Sequence, residues 1–241
     1  MIVFSTRPAY NEAMPILEVK NLNIEIAGSK IIENINFEIN KGDVLAIIGP
    51  NGAGKTMLLK ALLGLISFRG EIKWDKKINL GYVPQRLEIE TDIPLTVKEF
   101  FRLRSRNLKD EKIAEMLRFV QLDKNILNSG FGQISIGQRQ RILIAWAMIN
   151  NPDVLLFDEP TADIDIAGQE SIYKMLYEMQ SKTNLTVILI SHDLNIVYRY
   201  AEKILCLNKK QICIGTPQEI LRAEQLLELY GGEKAFYQHK H

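Results

Sequence analysis

Residues 49–56 read Gly-Pro-Asn-Gly-Ala-Gly-Lys-Thr, a full match to G-x-x-x-x-G-K-[ST]. The pattern has chemistry only between a buried strand and a helix. Here it follows the apolar run Val44–Ile48 and precedes a helical run from Met57 to Leu63. Glycines let successive backbone N–H groups turn toward one anion, and a helix N-terminus adds a favourable dipole. Lys55 supplies a point charge suited to β and γ phosphates, and the Thr56 hydroxyl suits Mg²⁺. Gly49, Pro50, Asn51, Gly52, Ala53, Gly54, Lys55 and Thr56 are therefore candidate phosphate-cradle residues. The competing reading is a Gly-rich turn that only caps a helix.

A second element points the same way. Val154-Leu155-Leu156-Phe157-Asp158-Glu159 ends an all-apolar strand in two adjacent carboxylates. Neighbouring strand residues point oppositely, so the two need not share a task. One suits Mg²⁺ through water, and the other suits an attacking water as its orienter or base. Taken alone, the segment also reads as an ordinary acidic turn. His192 follows the apolar strand Val187–Ile190, at the end where ligands collect in open α/β sheets, and is a candidate γ-phosphate contact.

Apolar β-branched runs alternate with helical patterns, which predicts an α/β fold with a largely parallel, buried sheet. Strands are expected at Leu17–Ile26, Ile35–Ile39, Val44–Ile48, Glu71–Trp74, Leu80–Val83, Val154–Phe157, Val187–Ile190, Ile204–Leu207 and Gln211–Ile214. From Leu87 to about Asn150 only helical patterns occur, which reads as a helical subdomain inserted into the core. The expected division is an N-terminal arm or mis-assigned start over 1–15, and a core of 16–86 with 151–215. The helical insert spans 87–150, and a C-terminal helix and tail 216–241. The basic run Arg102, Arg104, Arg106, Lys109 reads as a solvated helix face, with a docking surface as the alternative.

Composition excludes several classes. With 46% apolar and 24% charged residues the chain is no disordered polymer, and a formal charge of +1 gives no field to draw it onto nucleic acid. The longest apolar run, Ile142 to Ile149, is far short of the ~20 residues of a spanning helix. The N-terminus lacks the pattern of a secretory signal. Two cysteines, Cys206 and Cys213, sit among Leu and Ile and read as reduced core thiols of a cytosolic protein.

In this order, and with a helical insert between them, the three elements resemble the ATP-binding subunit of ABC transporters over nearly the whole chain from about Ile16. Further segments fit. Gln85 in Tyr82-Val83-Pro84-Gln85 looks like the Q-loop glutamine. Ile134-Ser135-Ile136-Gly137-Gln138 with Arg139-Gln140-Arg141 looks like the LSGGQ-x-QR signature, and Asp163-Ile164-Asp165 like the D-loop. The resemblance implies a P-loop NTPase (RecA-like) core with N-terminal antiparallel strands, using ATP and Mg²⁺. Glu159 would be the general base, His192 the γ-phosphate contact and Gln85 the sensor and a Mg²⁺ ligand beside Thr56. Asp158 would reach the metal through water. Ser135, Gly137 and Gln138 would serve a second copy of the chain, in a homodimer that sandwiches ATP, with Asp165 in the D-loop. A membrane permease and, indirectly, a substrate-binding receptor would be partners at the cytoplasmic face of the inner membrane.

Two positions depart from the family pattern. Ile136 replaces a signature glycine, and Ile26 stands where an aromatic usually stacks on adenine. Weaker nucleotide affinity without loss of hydrolysis is expected, and slow turnover if both matter. Segments such as Pro94-Leu95-Thr96-Val97, Leu205-Cys206-Leu207-Asn208 and Gly215-Thr216-Pro217 resemble the zinc/manganese uptake branch, which favours zinc, then manganese, then iron chelates. His239 and His241 read as a flexible tail or a zinc-sensing end. The competing classes are a soluble ABC-type ATPase of DNA repair or translation, and a non-catalytic nucleotide-binding regulator.

Overall fold

The computed structural model describes residues 15–85, 87, 93–159, 164–221 and 229–230. Residues 1–14 of the arm expected over 1–15, Asp163, and the tail histidines lie outside these residues. Among them the chain runs β1 (Leu17–Ile26), β2 (Ser29–Ile39), β3 (Val44–Ile48), α1 (Lys55–Leu62), β4 (Arg69–Trp74) and β5 (Leu80–Val83). Then come α2 (Val97–Arg102), α3 (Asp110–Phe119), a 3₁₀ turn (Lys124–Asn128), α4 (Ile136–Met148) and β6 (Val154–Asp158). The order closes with α5 (Ile166–Thr183), β7 (Thr186–Ile190), α6 (Leu194–Tyr200), β8 (Lys203–Asn208), β9 (Lys210–Gly215) and α7 (Pro217–Ile220).

One sheet collects the strands in the order β4-β1-β2-β9-β8-β3-β7-β6-β5. Its central pairs β8–β3, β3–β7, β7–β6 and β6–β5 are parallel. The N-terminal strands β2, β1 and β4 pair antiparallel. Every residue of β3, β6 and β7 is buried, as strands covered on both faces must be. Their side chains alternate between two cores. Val44, Ala46, Ile48, Leu155, Phe157, Val187 and Leu189 face the core that contains α4 and α5 residues. Leu45, Ile47, Val154, Leu156, Ile188 and Ile190 face the one shared with α1 and the antiparallel strands. Each Val, Leu, Ile or Phe among them stabilises the fold by roughly 1.5–3 kcal/mol relative to exposure.

The first strand of the hairpin matches its expected bounds, but β2 starts six residues earlier than Ile35. Ala27 and Gly28 both take positive φ, 49° and 78°, the two-residue turn that matches strand twist. Ile26 then pairs with Ser29, and Ile24 with Ile32. The polar residues in Ser29–Asn34 hid this half of the hairpin.

Between β5 and β6 no described residue lies in a strand; the one β contact is an isolated bridge between Thr96 and Gly130. Thr96 caps α2 through a capping box with Glu99, accepting its N–H at 3.2 Å. Phe100 packs on Phe131 at 4.5 Å between ring centroids and on Trp146 at 5.7 Å. The basic run is not a uniformly solvated face. Arg102 pairs with Asp110 at 3.0 Å, but Arg104 lies over the Trp146 ring, 4.5 Å from its centroid. Burial there lowers the Arg104 pKa.

The cysteines also depart from expectation. Cys206 and Cys213 are not separate thiols: they face each other across β8 and β9 and are joined as a disulfide, with Cα atoms 4.9 Å apart. Spacing in sequence does not show register, so their pairing was not visible from composition.

Candidate functional site

The register of the parallel strands builds the site. Ile190 pairs with both Ile47 and Asp158, so β3, β7 and β6 end level with one another. The loops that follow carry Gly49, His192 and Glu159 to one edge. On the far side Val83 pairs with Phe157, and two residues further along each chain Gln85 meets Glu159.

The cradle closes tightly. A Cβ on residue 49 would lie 1.9 Å from the Leu207 carbonyl oxygen, so β8 and the loop approach as only glycine permits. Gly54, the N-cap of α1, has φ 97° and would bring a Cβ to 2.8 Å from Ile32 Cγ1. Lys55 is 6% exposed. Its ammonium donates to the carbonyls of Gly49 at 2.9 Å and Pro50 at 3.1 Å, and stands 3.7 Å from Glu159 Oε1. Burial lowers its pKa, and the Glu159 and Asp158 charges pull it back up.

Asp158 is 3% exposed and accepts the Thr56 hydroxyl at 3.1 Å on Oδ1. Burial raises its pKa; the Thr56 hydrogen bond opposes this. Tyr82 donates to its Oδ2 at 3.5 Å, and burial followed by the Asp158 charge pushes the phenol up to about 12. Glu159 sits in the left-handed region at φ 47°. Its Oε2 accepts from Gln85 Nε2 at 3.0 Å, and its Oε1 lies 2.6 Å from His192 Nε2. A carboxylate gripped from two sides, beside an ammonium and open to a cleft, can hold and deprotonate a water.

That cleft, about 520 Å³, is lined by Ile31, residues 51–57, Gln85 and Glu159. A pocket of about 290 Å³ lies behind it, lined by Glu159, Gln169, Tyr173 and residues 190–193. Residues here that escaped the sequence reading include Ile31, Met57 and Tyr82. Ile31 adds an apolar wall, hidden because the expected strand began later, and Tyr82 is the Asp158 partner, visible only as a member of the Tyr-Val-Pro-Gln run. The structure does not bring Ile26 into the cleft; it is 43% exposed at the hairpin tip.

Ser135, Gly137 and Gln138 are also absent from the cleft walls. Ser135 is the N-cap of α4, in a capping box where its hydroxyl accepts the Gln138 N–H at 3.2 Å and Gln138 Oε1 accepts the Ser135 N–H at 3.0 Å. Ile136 is the first helical residue, without positive φ and 55% exposed, so a branched side chain strains nothing there. A Cβ on Gly137 would meet open space. The result is an exposed serine at a helix N-terminus that takes no part in lining the chain's own cleft. Asp165 caps α5, accepting the Gly168 N–H at 2.7 Å.

No helix among the described residues is long and apolar enough to cross a membrane, and none of them gathers three or more His, Cys, Asp or Glu side chains into a metal-binding group.

Comparison with known proteins agrees with this geometry. The sequence profile of the family described as ABC transporter matches residues 32–162. The Zinc import ATP-binding protein ZnuC of Buchnera aphidicola subsp. Schizaphis graminum is 36% identical over 95% of this chain and 97% of its own length. The protein of the same name from Haemophilus influenzae is 34% identical, over 94% and 86%. A metal-chelate type ABC transporter solved in an inward-facing conformation superposes with a TM-score of 0.80 at 30% identity, over 90% of this chain and 89% of that one. MJ1267, an ATP-binding cassette in its ADP conformation, has the same fold at a TM-score of 0.80 and 24% identity, over 92% and 100%. With a phosphate cradle, a buried acid and a gripped carboxylate aligned at one sheet edge, and relatives spanning almost its whole length, the chain belongs to the ABC transporter family as an ATP-hydrolysing subunit.

Proposed function

We propose that this chain powers a zinc importer by hydrolysing ATP between two copies of itself. The observation that carries the reading is the grip on Glu159: Gln85 at 3.0 Å, His192 at 2.6 Å and the cradle ammonium at 3.7 Å. A nucleotide-binding regulator needs no such carboxylate. Glu159 takes the proton of the attacking water, His192 fixes the carboxylate and touches the γ-phosphate, and Gln85 reports the state of the cleft to a membrane permease. Lys55 exchanges its carbonyl partners for phosphate oxygens.

Mg²⁺ fits the donor set. Thr56 and Gln85 line the cleft and offer a hydroxyl and an amide oxygen, and the buried Asp158 carboxylate stands behind the Thr56 hydroxyl at 3.1 Å; all are hard oxygen donors. Thr56 and Gln85 would hold the ion directly and Asp158 through water; bound, it neutralises charge on the β and γ phosphates.

Ser135, at the α4 N-terminus, is exposed and does not line its own cleft, which supports a second copy as its user. ATP then closes the pair and hydrolysis reopens it. The helical segment 87–150 acts as the lobe that carries Ser135 to the partner, against a core of 16–86 and 151–215. The subunit sits at the cytoplasmic face of the inner membrane, bound to its permease, with a metal receptor on the other side. Zinc is favoured by the names of the relatives; manganese and iron chelates are the alternatives.

The test is Glu159→Gln. Hydrolysis drops about 10²–10⁴-fold, the worth of a general base. An ATP-dependent dimer accumulates on size-exclusion chromatography, and cells carrying the variant lose uptake of radioactive zinc while keeping that of manganese. Normal turnover removes Glu159 from its role, and loss of manganese uptake alone replaces the cargo.

A further inference from the structure

The P-loop rests on more than its own strand. The Lys209 backbone N–H donates to the Ala53 carbonyl at 3.0 Å, and the Glu33 N–H donates to the Lys209 carbonyl at 2.7 Å. The Leu207 carbonyl lies so near Gly49 that a Cβ there would meet it at 1.9 Å. All three contacts come from the end of the β8–β9 hairpin, where Lys209 turns the chain at φ 61°. The cradle is thus braced by a two-stranded ribbon.

β8 is anchored in the sheet, paired with β3 from Leu45–Lys203 to Ile48–Cys206, and β9 is the more loosely held strand of the ribbon. β9 meets β2 at a single register pair, Glu33 with Lys210. Its ladder with β8 slips between Cys206 and Leu207, one residue from the Gly49 contact. The disulfide stands at the slip, with Cys206 and Cys213 directly opposed and Cα atoms 4.9 Å apart, a span a disulfide accommodates without moving the backbone. Cys206 is fully buried, whereas Cys213 is half-buried, so Cys213 is the sulfur an external reagent meets first. Intracellular disulfides are characteristically transient and regulatory rather than structural. The two cysteines are only seven residues apart, so the bond constrains the unfolded chain little and acts mainly on the ribbon.

We infer that Cys206 and Cys213 form a thiol–disulfide exchange site that sets how firmly the P-loop is braced, and so how tightly the cradle takes Mg·ATP. The inference rests on the assignment of residues 49–56 as the ATP cradle. Oxidation uses a small disulfide such as glutathione disulfide. The Cys213 thiolate attacks one of its sulfurs, the S–S bond breaks, and one small thiolate leaves and takes up a proton. The Cys206 thiolate then attacks the Cys213 sulfur of the mixed disulfide and expels the second small thiol. Two protein thiols become one bond while one external disulfide becomes two thiols; a dithiol reductant reverses the change.

With the bond open, the hairpin end is freed to release the Lys209–Ala53 contact. Loss of about one net hydrogen bond weakens nucleotide binding about fivefold. The experiment equilibrates the full chain in oxidised or reduced glutathione. It reads the Kd for Mg²⁺ with a non-hydrolysable ATP analogue by calorimetry, and the thiols by alkylation and mass spectrometry. The expected result is two alkylatable cysteines and about fivefold weaker binding in the reduced sample. The double variant Cys206→Ala/Cys213→Ala binds like the reduced protein in either buffer. If that variant fails to fold, the wild-type titration decides alone. Free thiols in both buffers, a bond that neither buffer opens, or opening without a change in Kd each overturns the inference. Absence of binding in either buffer overturns instead the cradle assignment beneath it.

Discussion

Asp158→Asn should make the nucleotide-free protein more stable while ruining its function. Asp158 is 3% exposed, and its carboxylate accepts from Thr56 at 3.1 Å and from Tyr82 at 3.5 Å. Burial raises its pKa above the ordinary 3.8 despite the Thr56 hydrogen bond. A raised pKa means the folded chain holds this proton more firmly than the unfolded one. The favourable contribution is therefore full below the unfolded value and lost as pH climbs through the folded value, leaving the ionised group a net cost at neutral pH. Asparagine has nearly the same shape and keeps the bond from Thr56. Converting that bond from charge-assisted to neutral loses about 1 kcal/mol, while sparing a buried ion its desolvation recovers several. A net gain of about 1–2 kcal/mol corresponds to roughly 2–8 °C in Tm for a chain of this size. Thermal unfolding monitored without nucleotide, near pH 5 and near pH 7.5, reads the effect directly. The variant should melt higher, with the wider gap at the higher pH, and should lose Mg²⁺-dependent stabilisation by ATP. A variant that melts below the parent at neutral pH, or a gap that narrows from acid to neutral, refutes the reasoning.

Two further substitutions probe the cradle and the signature. Gly49→Ala drives a Cβ to within 1.9 Å of a backbone carbonyl that no side-chain rotation relieves; urea unfolding should show a loss of about 2–4 kcal/mol, and calorimetry no ATP binding. Ser135→Ala removes the acceptor for the Gln138 N–H; it should cost about 1 kcal/mol in urea unfolding, while an ATPase activity that falls more steeply than the stability loss accounts for is the outcome expected if the proposed service to the partner's nucleotide holds.

Legibility in the sequence followed the strength of local pattern. The strands β3, β5 and β1 have the bounds that their apolar runs predict, and β6 and β7 gain a single residue each, because full burial on both faces leaves little freedom in what such a run can become. The cradle was equally plain, since a phosphate-binding turn demands glycines at set places. What stayed hidden depends on contacts between distant residues. Ser29–Asn34 looks polar, yet the Ala27–Gly28 turn folds it onto β1 and delivers Ile31 to the cleft. Tyr82 looked like part of a strand, and only the pairing of β5 with β6 sets its phenol against Asp158. Arg104 read as one charge in a row until Trp146, 42 positions later, came beneath it. Ile136 raised the opposite problem. A family pattern with glycine there implied a conformational demand, and the helical backbone of residue 136 makes none.

The ammonium of Lys55 is folded onto the carbonyls of Gly49 and Pro50, so an anion entering the cradle must compete with both. A small, singly charged anion offers too little to dislodge it, whereas a triphosphate brings enough charge along the loop to replace both carbonyls at once. Selection of polyphosphates over simple anions therefore begins at this one side chain, before any base or sugar is recognised.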